Sequence, residues 1–365
     1  MRVAIDAREL CGRPTGVGRY LTGLLDAWSA GDAMRRHEWT LIAPRPIERS
    51  SRWTAAAEIV PGGGGTLWEQ LRLPRAVSSA RADVFFAPGY TAPVTVAAPL
   101  VLTIHDLSFF AHPEWFSFRE GTRRRLLTAW SARRARTVIT DSEFSKGEIS
   151  AHLGIKNARV RPLGIDANDR SNDRLNDRAP IDRAPVVLFV GSLFQRRRVD
   201  RLIHAFDLVA GRVSGAQLEI VGENRTQPPI DFESMRRGCR HGDRITIRSY
   251  VDDDVLASLY QRASVFAFLS EYEGFGLTPL EALAGGVPPL VLDTAIARET
   301  CGAAARYVAP SASNADIAAA LEDLLTNDAA RQDVLRHRRD VLARYEWTRA
   351  AAATLSVLEE AAGGR

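Results

Sequence analysis

Apolar residues along this chain fall into short unbroken runs, with stretches of helical period between them. In the first half the runs are "RVAID" (2–6), "WTLIA" (39–43), "DVFFA" (83–87), "LVLTI" (100–104) and "TVIT" (137–140). In the second half they are "VVLFVG" (186–191), "QLEIVG" (217–222), "RITIR" (244–248), "SVFAFL" (264–269) and "PLVLD" (289–293). The runs are continuous rather than alternating, as strands buried on both faces require. Strand and helix alternate, which predicts parallel sheets with crossover helices. The polar segment "GIDANDRSNDRLNDRAPIDRAP" (164–185) separates the two series and reads as a solvated linker. The expectation is two doubly wound α/β domains facing a cleft, with ligands bound beyond the carboxyl ends of the strands.

Length and composition agree with that division. The chain has 365 residues, 45% apolar and 25% charged, enough for a core in each half. The formal net charge is only +4, so positive charge matters only where it clusters. Cys11, Cys239 and Cys301 lie far apart, which favours neither a zinc site nor a disulfide framework and fits a reducing cytoplasm. The chain opens directly on a strand pattern, from which no signal peptide is expected. No apolar run approaches the roughly 18 residues of a membrane span.

The stretch "EGFGLTPLEALAGG" (273–286) carries the densest chemistry. Part of it reads as helix punctuation: Thr278 as N-cap, Pro279 at the first helical position, Glu281 completing a capping box, Gly285 and Gly286 closing the helix. Capping leaves "SEYEGFG" without an account. Gly274 and Gly276 make a turn that exposes backbone N–H groups at a helix start, an anion-binding arrangement. A carboxylate such as Glu273 beside an anion is costly unless it has its own donor, for instance a sugar hydroxyl. Plain capping and a ligand bearing phosphate and hydroxyls both stay open at this point.

Other candidates lie at strand ends. In "CGRPTGVGRYLTGLL" (11–25), Gly16 and Gly18 precede a helix and would let a pyrophosphate approach. The third glycine of a dinucleotide fingerprint is missing, so a plain turn competes. In "VGSLFQRRRVDRLIHAF" (190–206), Arg196, Arg197 and Arg198 follow the first strand of the second half. Adjacent guanidiniums repel each other without an anion, and their forks match phosphate oxygens. A solvated basic turn is the competing reading, more so for Arg198. His105 and Asp106 end a central strand and read as polar site residues, since a metal pair would need a second cluster. Arg119, Arg123, Arg124, Arg125, Arg133, Arg134 and Arg136 surround Leu126, Leu127 and Trp130 on one helix. That helix suits anionic lipid or packs its apolar side on its own sheet. Nucleic acid would need an aromatic platform that is absent.

Taken together, these motifs resemble the family 4 retaining glycosyltransferases of GT-B fold, nearly end to end. The glutamates eight apart in "EGFGLTPLEALAGG" match that family's paired-glutamate signature. "TGVGRY", "TIHDLSFF", "VGSLFQRRRVDRLIHAF" and "YVDDDVLASLYQRASVFAFLSEYEGFG" follow in family order. The subgroup most similar contains bacterial mannosyltransferases of surface polysaccharide synthesis. The resemblance implies two Rossmann-like domains: an acceptor-side domain over 1–165, a linker over 166–184 and a nucleotide-sugar domain over 185–346. A C-terminal helix over 347–365 is expected to pack back on the first domain.

The resemblance also implies roles. Glu273 would contact the transferred sugar and Glu281 the ribose hydroxyls. Backbone amides of Gly274, Phe275, Gly276, Leu277 and Thr278 would hold sugar and diphosphate, with Gly16 and Gly18 approaching from the first domain. Arg196 and Arg197 match the family's basic pair, with Ser192 beside them. Tyr250 and Val251 would flank the base, His105 would lie near the sugar, and Glu299 matches an acidic position. Two departures stand out: Arg197 occupies a position commonly lysine, and Ser192 one commonly arginine. Pro288 and Pro289 form an unusual pair before a strand.

The implied reaction moves a sugar, mannose from GDP-mannose as first choice, to a hydroxyl of a glycan or lipid-linked acceptor with retained configuration. No cofactor is implied beyond the GDP- or UDP-linked co-substrate, and no catalytic metal. A UDP-sugar enzyme of another glycan or natural product, or a GT-B sugar-nucleotide epimerase, are the alternatives. The expected place is the cytoplasm, with the inner face of the plasma membrane reached peripherally through the Arg119–Arg136 helix. No nucleic-acid partner is expected.

Overall fold

A computed structural model describes residues 1–12, 16–47, 50–165 and 184–364. The chain divides into two compact units. Unit 1 comprises Met1–Pro113, Phe118–Gly164 and Tyr345–Arg365, and unit 2 comprises Glu114–Ser117 and Ile165–Arg344. Apart from Ala184, the expected linker 166–184 lies outside the described residues.

Unit 1 is built on seven strands: β1 (Arg2–Asp6), β2 (Glu38–Ala43), β3 (Ala56–Ile59), β4 (Val84–Ala87), β5 (Leu100–Thr103), β6 (Thr137–Thr140) and β7 (Arg159–Val160). They run parallel in the order β3-β2-β1-β4-β5-β6-β7. Strands β4 and β5 are buried at every position, so the apolar runs do lie between helical layers. The helix Gly16–Ala30 follows β1 and buries Tyr20, Leu21, Leu24, Leu25 and Trp28. Trp28 stacks on Trp39, ring centroids 4.7 Å apart.

The C-terminal helix Trp347–Gly363 also belongs to this unit. Trp28 Nε1 donates to the Ala351 carbonyl at 2.9 Å. The Trp347 ring fills the space over Gly23 and Gly164, where a Cβ would stand 2.4 and 2.3 Å from it. Both positions therefore exclude any side chain.

Unit 2 carries β8 (Val186–Val190), β9 (Gln217–Val221), β10 (Ile245–Arg248), β11 (Val265–Phe268), β12 (Pro289–Leu292) and β13 (Arg306–Val308). All run parallel in the order β10-β9-β8-β11-β12-β13. Pro289 begins β12, where a missing N–H is tolerated. In each sheet the order reverses beside the first strand of the unit, between β1 and β4 and between β8 and β11. Such a reversal opens a crevice at the carboxyl ends of the strands, where ligands of doubly wound sheets bind.

The ten strands expected from apolar runs all form. Three more, β3, β7 and β13, were not expected. Each is the edge of its sheet. Their burial is partial, so no continuous apolar run marks them.

Candidate functional site

The crevice of unit 2 is flanked by the loops that follow β8 and β11. After β8 the chain passes through Ser192 and a short 3-10 turn, Gln195–Arg197, to Arg198. Arg198 adopts φ 47°, which lets the following helix, Val199–Ala210, start sharply. The same turn swings Arg196 and Arg197 toward the loop after β11.

There they meet Glu273. Arg197 Nε donates to Glu273 Oε1 at 2.8 Å, and an Arg196 guanidinium nitrogen lies 3.6 Å from Glu273 Oε2. The Ser270 hydroxyl donates to Glu273 Oε1 at 2.9 Å. Arg196 Nε donates to the Tyr272 carbonyl at 2.9 Å, and Arg197 Nη1 to the Ser192 carbonyl at 2.9 Å. The guanidiniums lie over aromatic faces, Arg196 over Phe194 at 4.4 Å and Arg197 over Phe268 at 4.9 Å. Arg198 pairs instead with Glu271. Burial alone would raise the Glu273 carboxyl; Arg197 and Arg196 overcome it and hold the group at about 2. Glu273 is thus a carboxylate at any physiological pH.

The helix Leu277–Ala284 begins three residues after Glu273's neighbour Gly274. Its N-cap is Gly276, at φ 92° and ψ 57°, and no side chain caps it. This corrects the capping box drawn from the sequence. Gly276 in the left-handed region starts the helix at Leu277, two residues earlier than expected. Thr278 then falls at the second helical position, Pro279 at the third and Glu281 at the fifth. Pro279 is still tolerated, because the first four N–H groups of a helix have no intrahelical acceptor. With no side-chain cap, backbone N–H groups of the first turn remain unsatisfied within the helix, a surface that favours anions.

A shallow depression opens beside this turn, lined by Glu273, Phe275, Gly276, Thr294, Thr300 and Cys301 among others. Tyr250 and Val251 follow β10, with Tyr250 half exposed. Glu299 lies on the helix Ala295–Cys301. Among the described residues, no group of three or more His, Cys, Asp or Glu side chains could hold a metal ion.

In unit 1, Gly16 and Gly18 lie in the first turn of the helix after β1, Gly16 exposed and Gly18 buried. His105 follows β5 and is fully engaged. Its Nδ1 lies 2.6 Å from Asp141 Oδ2 and its Nε2 2.8 Å from the Pro88 carbonyl. Burial would lower the imidazole's proton affinity, but Asp141 and then the Pro88 carbonyl raise it above the usual value. Nδ1 faces a carboxylate oxygen and Nε2 a carbonyl, and both neighbours favour the protonated ring. Tyr20 and Tyr90 close on it edge-on, at 5.0 and 5.6 Å. Asp106 accepts from the Tyr90 hydroxyl at 3.1 Å and from the Ser108 amide at 2.9 Å.

The sequence did not single out Asp141, nor the buried group at the end of β1. There Arg8 Nε donates to Asp6 Oδ2 at 2.8 Å and Arg8 Nη1 to Glu69 Oε2 at 2.9 Å. A signal was present: Asp6 and Asp141 are charged residues closing or following apolar strands, at the ends where sites form. Ser270 and the phenylalanines beneath the arginines carried no such signal.

The basic helix spans Phe118–Arg134 and buries Gly121, Thr128, Ser131 and Ala132. Its buried side is thus made of small residues, not of Leu126, Leu127 and Trp130. Phe118 and Leu126 are 83% and 67% exposed. No helix among the described residues is long and apolar enough to cross a membrane.

Two family models match the chain in order. "Glycosyltransferase Family 4" matches residues 14–169 and "Glycosyl transferases group 1" residues 172–340. A GDP-mannose:cellobiosyl-diphosphopolyprenol alpha-mannosyltransferase of Komagataeibacter xylinus is 27% identical over 67% of this chain and 63% of the relative. The chain spans 59–69% of the length of three curated relatives that it matches. Among solved structures, a sucrose-phosphate synthase from Thermosynechococcus elongatus superposes with a TM-score of 0.77 at 19% identity, covering 98% of each chain. The HepE protein of Anabaena, solved in complex with UDP-glucose, gives a TM-score of 0.72 at 18% identity over 98% of this chain and 100% of that one. With both halves matched in order and the parallel-sheet fold in common, the chain belongs to the family 4 glycosyltransferases of GT-B fold.

Proposed function

We propose that the chain transfers a sugar from a nucleotide-sugar to a hydroxyl of a glycan or lipid-linked acceptor, with GDP-mannose as the donor and surface polysaccharide as the product. The observation that carries this reading is the Arg196–Arg197–Glu273 cluster at the unit 2 crevice. Two guanidiniums and the uncapped start of the Leu277–Ala284 helix supply positive potential for a departing diphosphate. Glu273, kept ionised between them, is suited to accept from sugar hydroxyls. Glu281, Tyr250 and Val251 are assigned to ribose and base, and Gly274 to Thr278 to sugar and diphosphate through backbone amides. Gly16 and Gly18 are assigned to diphosphate contact on the family resemblance.

His105 is assigned to the sugar side of unit 1. Its two nitrogens are committed to Asp141 and Pro88, so its contribution is to tie together the ends of β4, β5 and β6. Charge neutralisation by arginine and helix amides makes a catalytic metal unnecessary in this reading, and transfer should survive EDTA. Mannose rests on the mannosyltransferase relative; the UDP-glucose bound to the Anabaena protein supports the UDP alternative.

The membrane is a second proposal. Arg119, Arg123, Leu126 and Arg133 recur along one exposed side of the Phe118–Arg134 helix. Arg123 reaches Thr66, at the start of the Thr66–Leu71 helix, at 2.8 Å. That second helix exposes Leu67 and Leu71, at 78% and 62%. Apolar side chains among arginines suit an anionic bilayer surface.

The test is a thermal-shift panel of GDP, UDP and ADP, followed by hydrolysis and transfer assays with donors of the best class. Stabilisation by GDP and mannosyl transfer are expected. No shift with any nucleotide would overturn the reading; turnover of donor without an acceptor would favour an epimerase or hydrolase.

A further inference from the structure

The segment Glu114–Ser117 clusters with unit 2, although the chain on both sides of it belongs to unit 1. It lies between the four-residue helix Ser108–Ala111 and the helix Phe118–Arg134, and includes the end of a 3-10 turn, Pro113–Trp115. The Trp115 ring meets the ring of Tyr272 edge-on, with centroids 6.3 Å apart and planes at 74°. Tyr272 is buried and directly precedes Glu273.

Tyr272 is tied to the charged cluster through its backbone. Its carbonyl accepts from Arg196 Nε at 2.9 Å. The Ser270 hydroxyl lies within reach of both that carbonyl, at 3.2 Å, and Glu273 Oε1, at 2.9 Å. The Glu271 amide donates to the Arg196 carbonyl at 2.9 Å. Residues 270–273 and Arg196 therefore form a closed ring of hydrogen bonds, and the orientation of Arg196 depends on where the Tyr272 backbone stands. The Tyr272 side chain anchors that backbone, and Trp115 packs against it.

We infer that Trp115 is a positioning residue for the diphosphate end of the donor site. It holds Tyr272, the Tyr272 carbonyl holds the Arg196 fork, and Arg196 with Arg197 receives the phosphate nearest the sugar. Trp115 touches neither nucleotide nor sugar in this assignment. The inference rests on the nucleotide-sugar reading given above. It predicts a selective defect, because a displaced Arg196 weakens the grip on the second phosphate and leaves the nucleoside end untouched.

The experiment is isothermal titration of the full chain with GDP against GMP, and with UDP against UMP, for the parent, Trp115→Ala and Trp115→Phe. Trp115→Ala should weaken the better nucleoside diphosphate about tenfold and its monophosphate less than twofold. Trp115→Phe, which keeps an aromatic edge, should recover most of the diphosphate affinity. Equal loss for both ligands would mean a merely structural role and overturn the inference. Unchanged diphosphate affinity in Trp115→Ala would overturn it as well. If the parent binds no nucleoside diphosphate, the nucleotide-sugar reading fails and takes this one with it; parent binding with an unaffected variant sinks this one alone.

Discussion

Replacing Glu273 by glutamine removes one charge at nearly constant shape. A carboxyl held at about 2 instead of its ordinary 4.5 is stabilised as the ion by about 3 kcal/mol. That figure is an upper bound for the charge alone, since the Ser270 hydroxyl supplies part of it and glutamine can keep that bond. Losing most of it should lower the melting temperature of unit 2 by roughly 5–10 °C, at about 2–4 °C per kcal/mol for a unit of this size. Because folding depresses this carboxyl, its contribution is complete above about pH 4.5 and is lost as pH falls toward 2. Parent and Glu273→Gln should differ most at neutral pH and converge in acid.

Nucleotide binding should move the other way. Glu273 occupies the same two arginines that a diphosphate would use, so the carboxylate and the phosphates repel each other. At separations on the order of 7 Å and an effective dielectric of about 20–40, that repulsion is ~1–2 kcal/mol per phosphate charge. Glu273→Gln should therefore bind GDP or UDP more tightly, by roughly fivefold to thirtyfold, while transfer falls about 100-fold or more through the lost sugar contact. Calorimetry, titration and a donor-consumption assay on the same preparations check all three. A variant as stable as the parent at pH 7, or one that binds the diphosphate much more weakly, would refute the reasoning.

Four further outcomes follow from the same geometry. Arg197→Ala should fold yet lose transfer by about 100-fold or more, and Arg197→Lys, unable to serve Glu273 and the Ser192 carbonyl together, should raise donor KM more than it lowers kcat. Gly276→Ala has room for its methyl, whose nearest neighbour is Thr300 Oγ1 at 3.9 Å, but not for φ 92°; chemical denaturation should show a loss of about 1–2 kcal/mol, with weaker diphosphate binding. Folding raises the His105 imidazole, so its stabilisation is complete below about pH 6.5 and lost as pH rises through the folded value; the melting-temperature gap between parent and His105→Ala should narrow in alkaline buffer. Leu67→Glu with Leu126→Glu should reduce flotation with phosphatidylglycerol vesicles and leave turnover of a soluble acceptor unchanged; undiminished flotation would exclude this surface.

The sheets were legible because their central strands are buried on both faces, and burial leaves a run such as "VFFA" or "VVLF" in the sequence. Of the four edge strands only β10 was legible; "AAEI" and "RYV" are shielded by pairing on one side only and need no apolar run. The charged cluster was half legible. Three successive arginines after a strand, and two glycines at a helix start, each pointed to an anion site, and Glu273 to a donor such as a sugar hydroxyl. That the two groups meet depends on β8 pairing with β11, a non-local contact that neither local pattern encodes. The capping box misled for a definite reason. Threonine, proline and glutamate have the right spacing for it, but Gly276 can take a backbone angle closed to other residues and starts the helix first.

The structural and chemical demands on Glu273 explain why these charges are clustered at all. Two guanidiniums with little solvent are costly alone, and three adjacent arginines more so. Glu271 and Glu273 divide the load: Arg198 is neutralised by Glu271 outside the ring, which leaves Arg196 and Arg197 sharing one carboxylate. Three cations against two anions leave one positive charge at the strand ends, with the helix start adding more. A fully neutral cluster would be more stable and would hold a diphosphate poorly. One with no glutamate would hold the product strongly and release it slowly. In the proposed reading, Glu273 at the centre would trade ground-state affinity for turnover, since the carboxylate would repel the phosphates and orient the sugar from which they depart.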